Sequence, residues 1–349
     1  MVSVLITTYN SAKFLDRCLE SLRQQTYDQL EIIVVDNASA DSTRSFLQTM
    51  GNNVRLILNA TNVGFAAAQN QGVRVAKGKW LLSLNPDVLL APDFIAKLVA
   101  AGEADPSIGT VCGKLLRWSL GDEPEFTQVV DSTGIYFTPD LRHLDRGAGH
   151  EDRGQYDQPE FVFGATGAAA LYRRSMVEDV SLEEDFFDED FFSYREDADL
   201  AWRAQLMGWK CLYVPEARGW HVRRVTPERR QELPRVLNFH SVKNRFLMRA
   251  KNIAGPLYRR FWFRVTVRDL QVLGYSLLIE PRLLGSFLAV WKSRKELEKK
   301  RRIIQSRRRV SDQELARWFS FTPVSIPVPT PAGGGEEARV PVEPGNRSL

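Results

Sequence analysis

Cysteine is scarce in this chain. Cys18, Cys112 and Cys211 are widely spaced and form no CxxC pair, which excludes a disulfide framework and a cysteine zinc site and fits a reducing cytoplasm. Long apolar runs are missing too. The best stretch is broken by Glu280 and Arg282, short of the roughly 18–20 uninterrupted residues that a bilayer-spanning helix needs. No basic-then-apolar leader precedes the first strand pattern, so export through a signal peptide is not expected.

The 349 residues are 44% hydrophobic and 26% charged, an ordinary globular balance with room for one large α/β domain and an appendage. The net charge of +4 hides an asymmetry. Between Arg235 and Arg309 stand 20 Lys and Arg against four acids, so that segment carries +16 and the remainder −12. The two regions therefore face different partners.

Val2–Ile6, Ile32–Val35, Val54–Leu58 and Trp80–Leu84 are short, apolar or β-branched runs bounded by polar residues, the pattern of strands buried on both faces. Helical stretches separate them at Ala12–Gln25, Ser42–Met50 and Phe65–Lys77, the last expected to close on Gly78 as its C-terminal cap. This alternation predicts a doubly wound α/β sheet with right-handed crossovers.

Polar groups follow the first, second and fourth of these strands, at the carboxyl edge where open α/β sheets bind ligands. Asp36 and Asn37 suit the imide edge of a pyrimidine and ribose hydroxyls, although an aspartate after a strand is also an ordinary turn former. Thr8, Tyr9 and Asn10 end the preceding strand beside them. In Asn62-Val63-Gly64-Phe65, Gly64 allows a ligand's close approach or an unusual backbone angle, and the following helix presents Asn70. Asn85-Pro86-Asp87 reads either as a turn or as a hard-cation site whose remaining ligands come from a diphosphate. Around Phe163–Leu171 small residues leave space for a sugar beside the backbone. Glu196, Asp197 and Asp199 open a helix. Carboxylates there complement the helix dipole, yet one is placed to act as a general base. His221 follows a further strand toward the same pole and is either a hydrogen-bonded histidine or a metal ligand beside Asp87.

Together these segments resemble the inverting glycosyltransferases of family 2, which have the GT-A fold, and within them the rhamnosyltransferase and galactofuranosyltransferase branch. The resemblance runs from Met1 to about Arg224. It implies a mixed, mainly parallel sheet flanked by helices and a nucleotide-sugar site drawing on Thr8, Tyr9, Asn10, Asp36, Asn37, Asn70, Asn85 and Asp87. It further implies Mg²⁺ or Mn²⁺ on Asp87 and His221, and Asp197 as catalytic base. Many relatives carry Asp-x-Asp where this chain has Asn85-Pro86-Asp87; the Asn-Pro-Asp form tilts the donor towards dTDP-rhamnose, with UDP-sugars as the alternative. The expected acceptor is a glycan or a polyprenyl-diphosphate-linked saccharide.

Residues 225–321 are expected to form a basic helical extension mixing Phe, Trp and Tyr with Arg and Lys. Such a composition over 239–309 suits contact with the inner face of the cytoplasmic membrane, a cap on the catalytic domain, a homo-oligomer interface, or several of these. From Thr322 the Pro- and Gly-rich composition predicts a disordered tail. A nucleic-acid-binding role for the basic region is disfavoured, because the body is acidic and no groove-reading or base-stacking motif is present. Nor is there the Gly-rich phosphate loop of a nucleotidyltransferase, or the Gln-x-x-Arg-Trp segment of a processive synthase.

Overall fold

The computed structural model describes residues 1–120, 124–223 and 235–328. The first half alternates as the apolar runs dictate: β1 (Val2–Thr8), α1 (Ala12–Arg23), β2 (Leu30–Asp36), α2 (Thr43–Thr49), β3 (Arg55–Leu58), α3 (Phe65–Val75) and β4 (Trp80–Leu84). Then come β5 (Val88–Leu90), α4 (Phe94–Glu103), β6 (Ile108–Leu120), β7 (Pro124–Ser132), and the small hairpin β8 (Ile135–Phe137) and β9 (His143–Asp145). β10 (Glu160–Val162), β11 (Ala169–Arg173), α5 (Arg174–Val180), α6 (Glu196–Leu206) and β12 (Lys210–His221) complete the sheet region.

The main sheet runs β13-β10-β12-β6-β11-β4-β1-β2-β3, with β13 contributed by Ile326–Pro327. β3, β2, β1 and β4 are mutually parallel, as expected; β11 is antiparallel to both β4 and β6, while β12 returns parallel to β6. Every residue of β1 and β4 is buried, because helices cover both faces. β3 is half exposed, being the last strand with no neighbour beyond it.

Gly78 is not the cap expected of it. α3 stops at Val75, and a Cβ on Gly78 would stand 2.5 Å from the Ser3 nitrogen and 2.6 Å from the Trp80 carbonyl oxygen. Gly78 is needed because the chain squeezes past β1 as it enters β4.

The C-terminal region is helical: α7 (Arg235–Asn252), α8 (Gly255–Leu278), α9 (Leu284–Lys292), α10 (Arg294–Arg307) and α11 (Asp312–Ala316). It shares a core with the sheet region. Trp202 of α6 packs at 5.1 Å from Phe137 and 5.3 Å from Phe319, and Phe319 at 5.7 Å from Phe261 of α8. The outer sides of α8 and α9 stay uncovered, with Trp262, Phe263, Leu278 and Trp291 more than half exposed. Among the described residues no helix is long and apolar enough to cross a membrane. Within the expected disordered tail, Ile326 and Pro327 are instead a short strand paired with Phe161 and Glu160; 329–349 lies outside the described residues, as does the expected boundary at Arg224.

Candidate active site

Parallel register brings the predicted groups to one edge. Thr8 lies opposite Asp36 across β1 and β2, and Ile6 opposite Leu84 across β1 and β4, so the residues after β4 emerge beside those after β1. The edge has two parts of different character.

The part around β1 and β2 is closed upon itself. Asp36 is fully buried and accepts from Thr8 Oγ1 at 3.0 Å, Ser39 N at 3.1 Å, Ser39 Oγ at 2.5 Å and Arg44 Nε at 2.7 Å. Asn37 accepts from Val63 N and donates to Asn62 Oδ1 and the Gly64 carbonyl, pinning the loop before α3. Asn10, at φ 51°, accepts from the backbone of Ala40 and Asp41. Tyr9 is the open group here, half exposed at the rim. Asn70 must be reassigned: it is buried, donates to the Phe187 carbonyl at 2.8 Å and accepts from Phe187 N at 2.9 Å, so both ends of its amide hold the 186–195 loop. Gly64 serves the same loop. At φ 90°, its Cβ position lies 2.6 Å from the Phe192 ring, so the close approach is by Phe192 and not by a ligand.

The other part opens into a cavity of about 500 Å³ lined by Asn85, Asp87, Thr166, Gly167, Ala168, Asp197 and His221, with residues of β9, α7 and α8 on its remaining walls. Gly164 keeps α6 close, since a Cβ there would fall 2.2 Å from that of Ala201.

His221 links two carboxylates. Its Nδ1 is 2.8 Å from Asp131 Oδ2 and its Nε2 is 3.5 Å from Asp87 Oδ1. Burial alone would pull the imidazole down, but Asp131 and then Asp87 outweigh it and push it up to about 10. Asp131 was not singled out from the sequence, although the buried run ending β7 carries the same strand-end acid signal as Asp36. Both ring nitrogens thus carry a proton, one toward each carboxylate; a cation would have to displace the proton on Nε2, after which Asp131 would still hold Nδ1–H while Nε2 and Asp87 offer one imidazole and one hard oxygen ligand. That donor pair fits a divalent cation whose other ligands come from substrate oxygens or water. Among the described residues no group of three His, Cys, Asp or Glu side chains converges on a metal position.

The three acids opening α6 have separate fates. Asp199 is fully buried between Arg203 at 3.0 Å, Lys251 at 3.1 Å and Asn252 at 2.7 Å, and is structural. Asp197 faces the cavity, its oxygens held by Gly167 N at 3.0 Å and Ala198 N at 2.7 Å. Burial raises both Asp197 and Glu196; Glu196, pressed further by the charge of Asp197, reaches about 8. Glu196 therefore holds a proton near neutral pH, and burial enhances the basicity of the Asp197 carboxylate.

The backbone delivering Asp197 is contorted, with Phe192, Tyr194 and Arg195 at φ 63°, 71° and 72°. Non-glycine residues in this region cost about 1 kcal/mol or more each and persist only when over-determined by their surroundings. Asn244 of α7 supplies the determination: its buried amide donates to the carbonyls of Phe191, Ser193 and Tyr194 at 2.7–2.8 Å. An asparagine inside a basic, aromatic helix was the available sequence signal, since Asn is disfavoured there without a partner.

Comparison with known proteins places this geometry. The sequence pattern described as "Glycosyl transferase family 2" matches residues 3–181. The putative glycosyltransferase EpsH of Bacillus subtilis is 28% identical over 210 residues, covering 56% of this chain and 55% of that protein. The N-acetylglucosaminyl-diphospho-decaprenol L-rhamnosyltransferase of Mycobacterium tuberculosis is 28% identical over 251 residues, covering 63% of this chain and 76% of that protein. The first of these matches thus spans about half the length of the curated relative. Among solved structures, GalNAc-T7 superposes with a TM-score of 0.57 at 18% identity over 72% of this chain and 48% of that one. TarS 1–349 of S. aureus superposes at 0.52 and 18% identity over 87% and 90%. These two likenesses concern the fold alone. With the family's pattern covering half of the chain, and with neighbours of similar fold, the protein belongs to glycosyltransferase family 2.

Proposed function

We propose that the chain transfers a sugar from a nucleotide donor to a hydroxyl of a saccharide acceptor, with inversion at the anomeric carbon, in the synthesis of a surface polysaccharide. The observation that carries this reading is the single cavity onto which Asp197, Asp87 and His221 all face. Asp197 takes the proton of the acceptor hydroxyl as its oxygen bonds to the anomeric carbon. The bond from that carbon to the diphosphate oxygen breaks on the opposite face, and the electron pair leaves with the nucleotide. Asp87 and His221 would hold Mg²⁺ or Mn²⁺, which when bound supplies positive charge to the leaving diphosphate. Tyr9 offers an exposed ring to the base, above a rim kept rigid by Thr8, Asp36 and Asn37.

Rhamnose from dTDP-rhamnose is the favoured donor, supported by Asn85-Pro86-Asp87 and by similarity to the mycobacterial rhamnosyltransferase. The alternative is a UDP-sugar; the GalNAc-T7 structure holds UDP, GalNAc and Mn²⁺. A lipid-linked acceptor accords with the exposed Trp262, Phe263 and Trp291 on basic helices, which suit the inner face of the cytoplasmic membrane. The test is incubation of the purified chain with dTDP-rhamnose or a UDP-sugar, divalent cation and a saccharide-diphospho-lipid, followed by NMR of the product. Inverted configuration is expected; retention would overturn the single-displacement reading.

A further inference from the structure

One wall of the cavity has no part in the chemistry described so far. It is built from Arg142 and His143 at β9, Arg195 before α6, Arg223 after β12, Arg245 of α7 and Arg268 of α8. Four of these guanidiniums surround His143. Arg195 Nη1 donates to its Nδ1 at 2.8 Å, which requires that nitrogen to be unprotonated. Burial holds the imidazole well below its usual range, and Arg195, Arg223, Arg142 and Arg245 depress it further. The imidazole is thus neutral among four arginines, and the positive charge of this wall is carried by the guanidiniums alone.

The arginines are unequally compensated. Arg223 is paired with Asp145 at 2.6 Å and Asp131 at 3.3 Å. Arg245 is only 4% exposed; its Nη2 donates to the Asp140 carbonyl at 3.0 Å, but its Nε has no hydrogen-bond acceptor among the described residues, and its ion-pair partner Asp269 stands off at 3.7 Å and is shared with Arg249. Arg142, half-buried at the cavity wall, has no side-chain hydrogen bond or ion pair among the described residues. Burying a guanidinium without an acceptor is costly, whereas a phosphate oxygen satisfies its fork geometry.

We propose that this wall is an anion subsite for the diphosphate of a lipid-linked acceptor. The proposal rests on the transferase reading above and adds what recognises the acceptor. The donor's diphosphate has its place at Asp87 and His221; Arg223, paired with the Asp131 that also holds His221, borders it, while Arg142, Arg245 and Arg268 come from the hairpin and the helical extension. The lipid as source is favoured by α8, which contributes Arg268 to the cavity while Phe263, Leu270 and Leu278 on the same helix lie more than 60% exposed. By helical spacing Phe263 and Leu270 lie on the side of α8 away from Arg268, so the helix can rest on a lipid surface while Arg268 faces the cavity.

The test is calorimetric titration of the full chain, first saturated with dTDP or UDP, using farnesyl diphosphate, inorganic pyrophosphate and farnesol as probes. Farnesyl diphosphate is expected to bind, pyrophosphate more weakly and farnesol not measurably. Arg142→Gln, at a half-exposed position that does not endanger folding, should weaken both diphosphates by about 10- to 100-fold and leave nucleotide affinity unchanged. Equal affinity for farnesyl diphosphate and pyrophosphate would replace the lipid source by a soluble phosphate. Absence of diphosphate binding to the nucleotide-loaded chain, or binding indifferent to Arg142→Gln, would overturn the subsite. Failure of dTDP and UDP to bind at all would count against the transferase reading instead.

Discussion

Asp197→Asn is expected to lower the turnover number by roughly 10²–10⁴-fold, the range that a positioned general base contributes, while nucleotide binding and stability stay unchanged. The substitution preserves shape but removes the lone pair that accepts a proton; the amide oxygen keeps one of the two backbone contacts, from Gly167 or Ala198, and the amide nitrogen cannot accept the other, a loss of about 1 kcal/mol that removing a buried charge offsets. Stability is spared because the carboxylate is held above its usual range by burial, so folding gains little from its charge. Steady-state kinetics beside dTDP and UDP titrations provide the check. Loss of nucleotide affinity together with rate would make Asp197 a donor-site group and leave the base unassigned.

Two residues further on, Asp199→Leu should do the reverse, destabilising the fold by about 3–5 kcal/mol, as expected when a buried ion-pair network loses one member. Asp199 is the carboxylate shared by Arg203 and Lys251, all three fully buried. Lys251 and Lys300 reach in from α7 and α10 to Asp188, so the same network ties the helical extension to the loop before α6. Removing Asp199 strands the Arg203 guanidinium with only the Val180 and Phe186 carbonyls and leaves the Asn252 amide without its carboxylate. Urea denaturation followed by tryptophan fluorescence measures the effect. A change below about 1 kcal/mol would mean that Asp199 is not a structural centre.

Asp197 and Asp199 show where local sequence reading reaches its end. Both stand in the first turn of one helix, and a dipole argument applies equally to each; Asp199 has a local partner in Arg203, but the groups that complete its burial, Lys251 and Asn252, lie 52 and 53 residues away. Legible elements were those with local causes: the parallel strands, whose apolar runs are uninterrupted, and the acids that end them. Less legible were positions whose meaning depends on long-range pairing. His221 and Asp131 meet across 90 residues, and the arginine wall gathers five segments that share no motif. Asn70 and Gly64 looked like ligand contacts because small and amide residues suit both a ligand and a tightly packed loop. The loop at Phe187 and Phe192 proved to be the occupant.

The measurement that bears most directly on the nucleotide-sugar site is calorimetric titration of dTDP and UDP into the wild-type chain and into Asp87→Ala, with and without Mn²⁺. Binding in the wild type that strengthens with Mn²⁺, and loses that dependence in Asp87→Ala, is the predicted result; preference for dTDP would support the rhamnose donor. Binding of neither nucleotide to folded protein, or Mn²⁺ dependence that survives Asp87→Ala, would contradict the site.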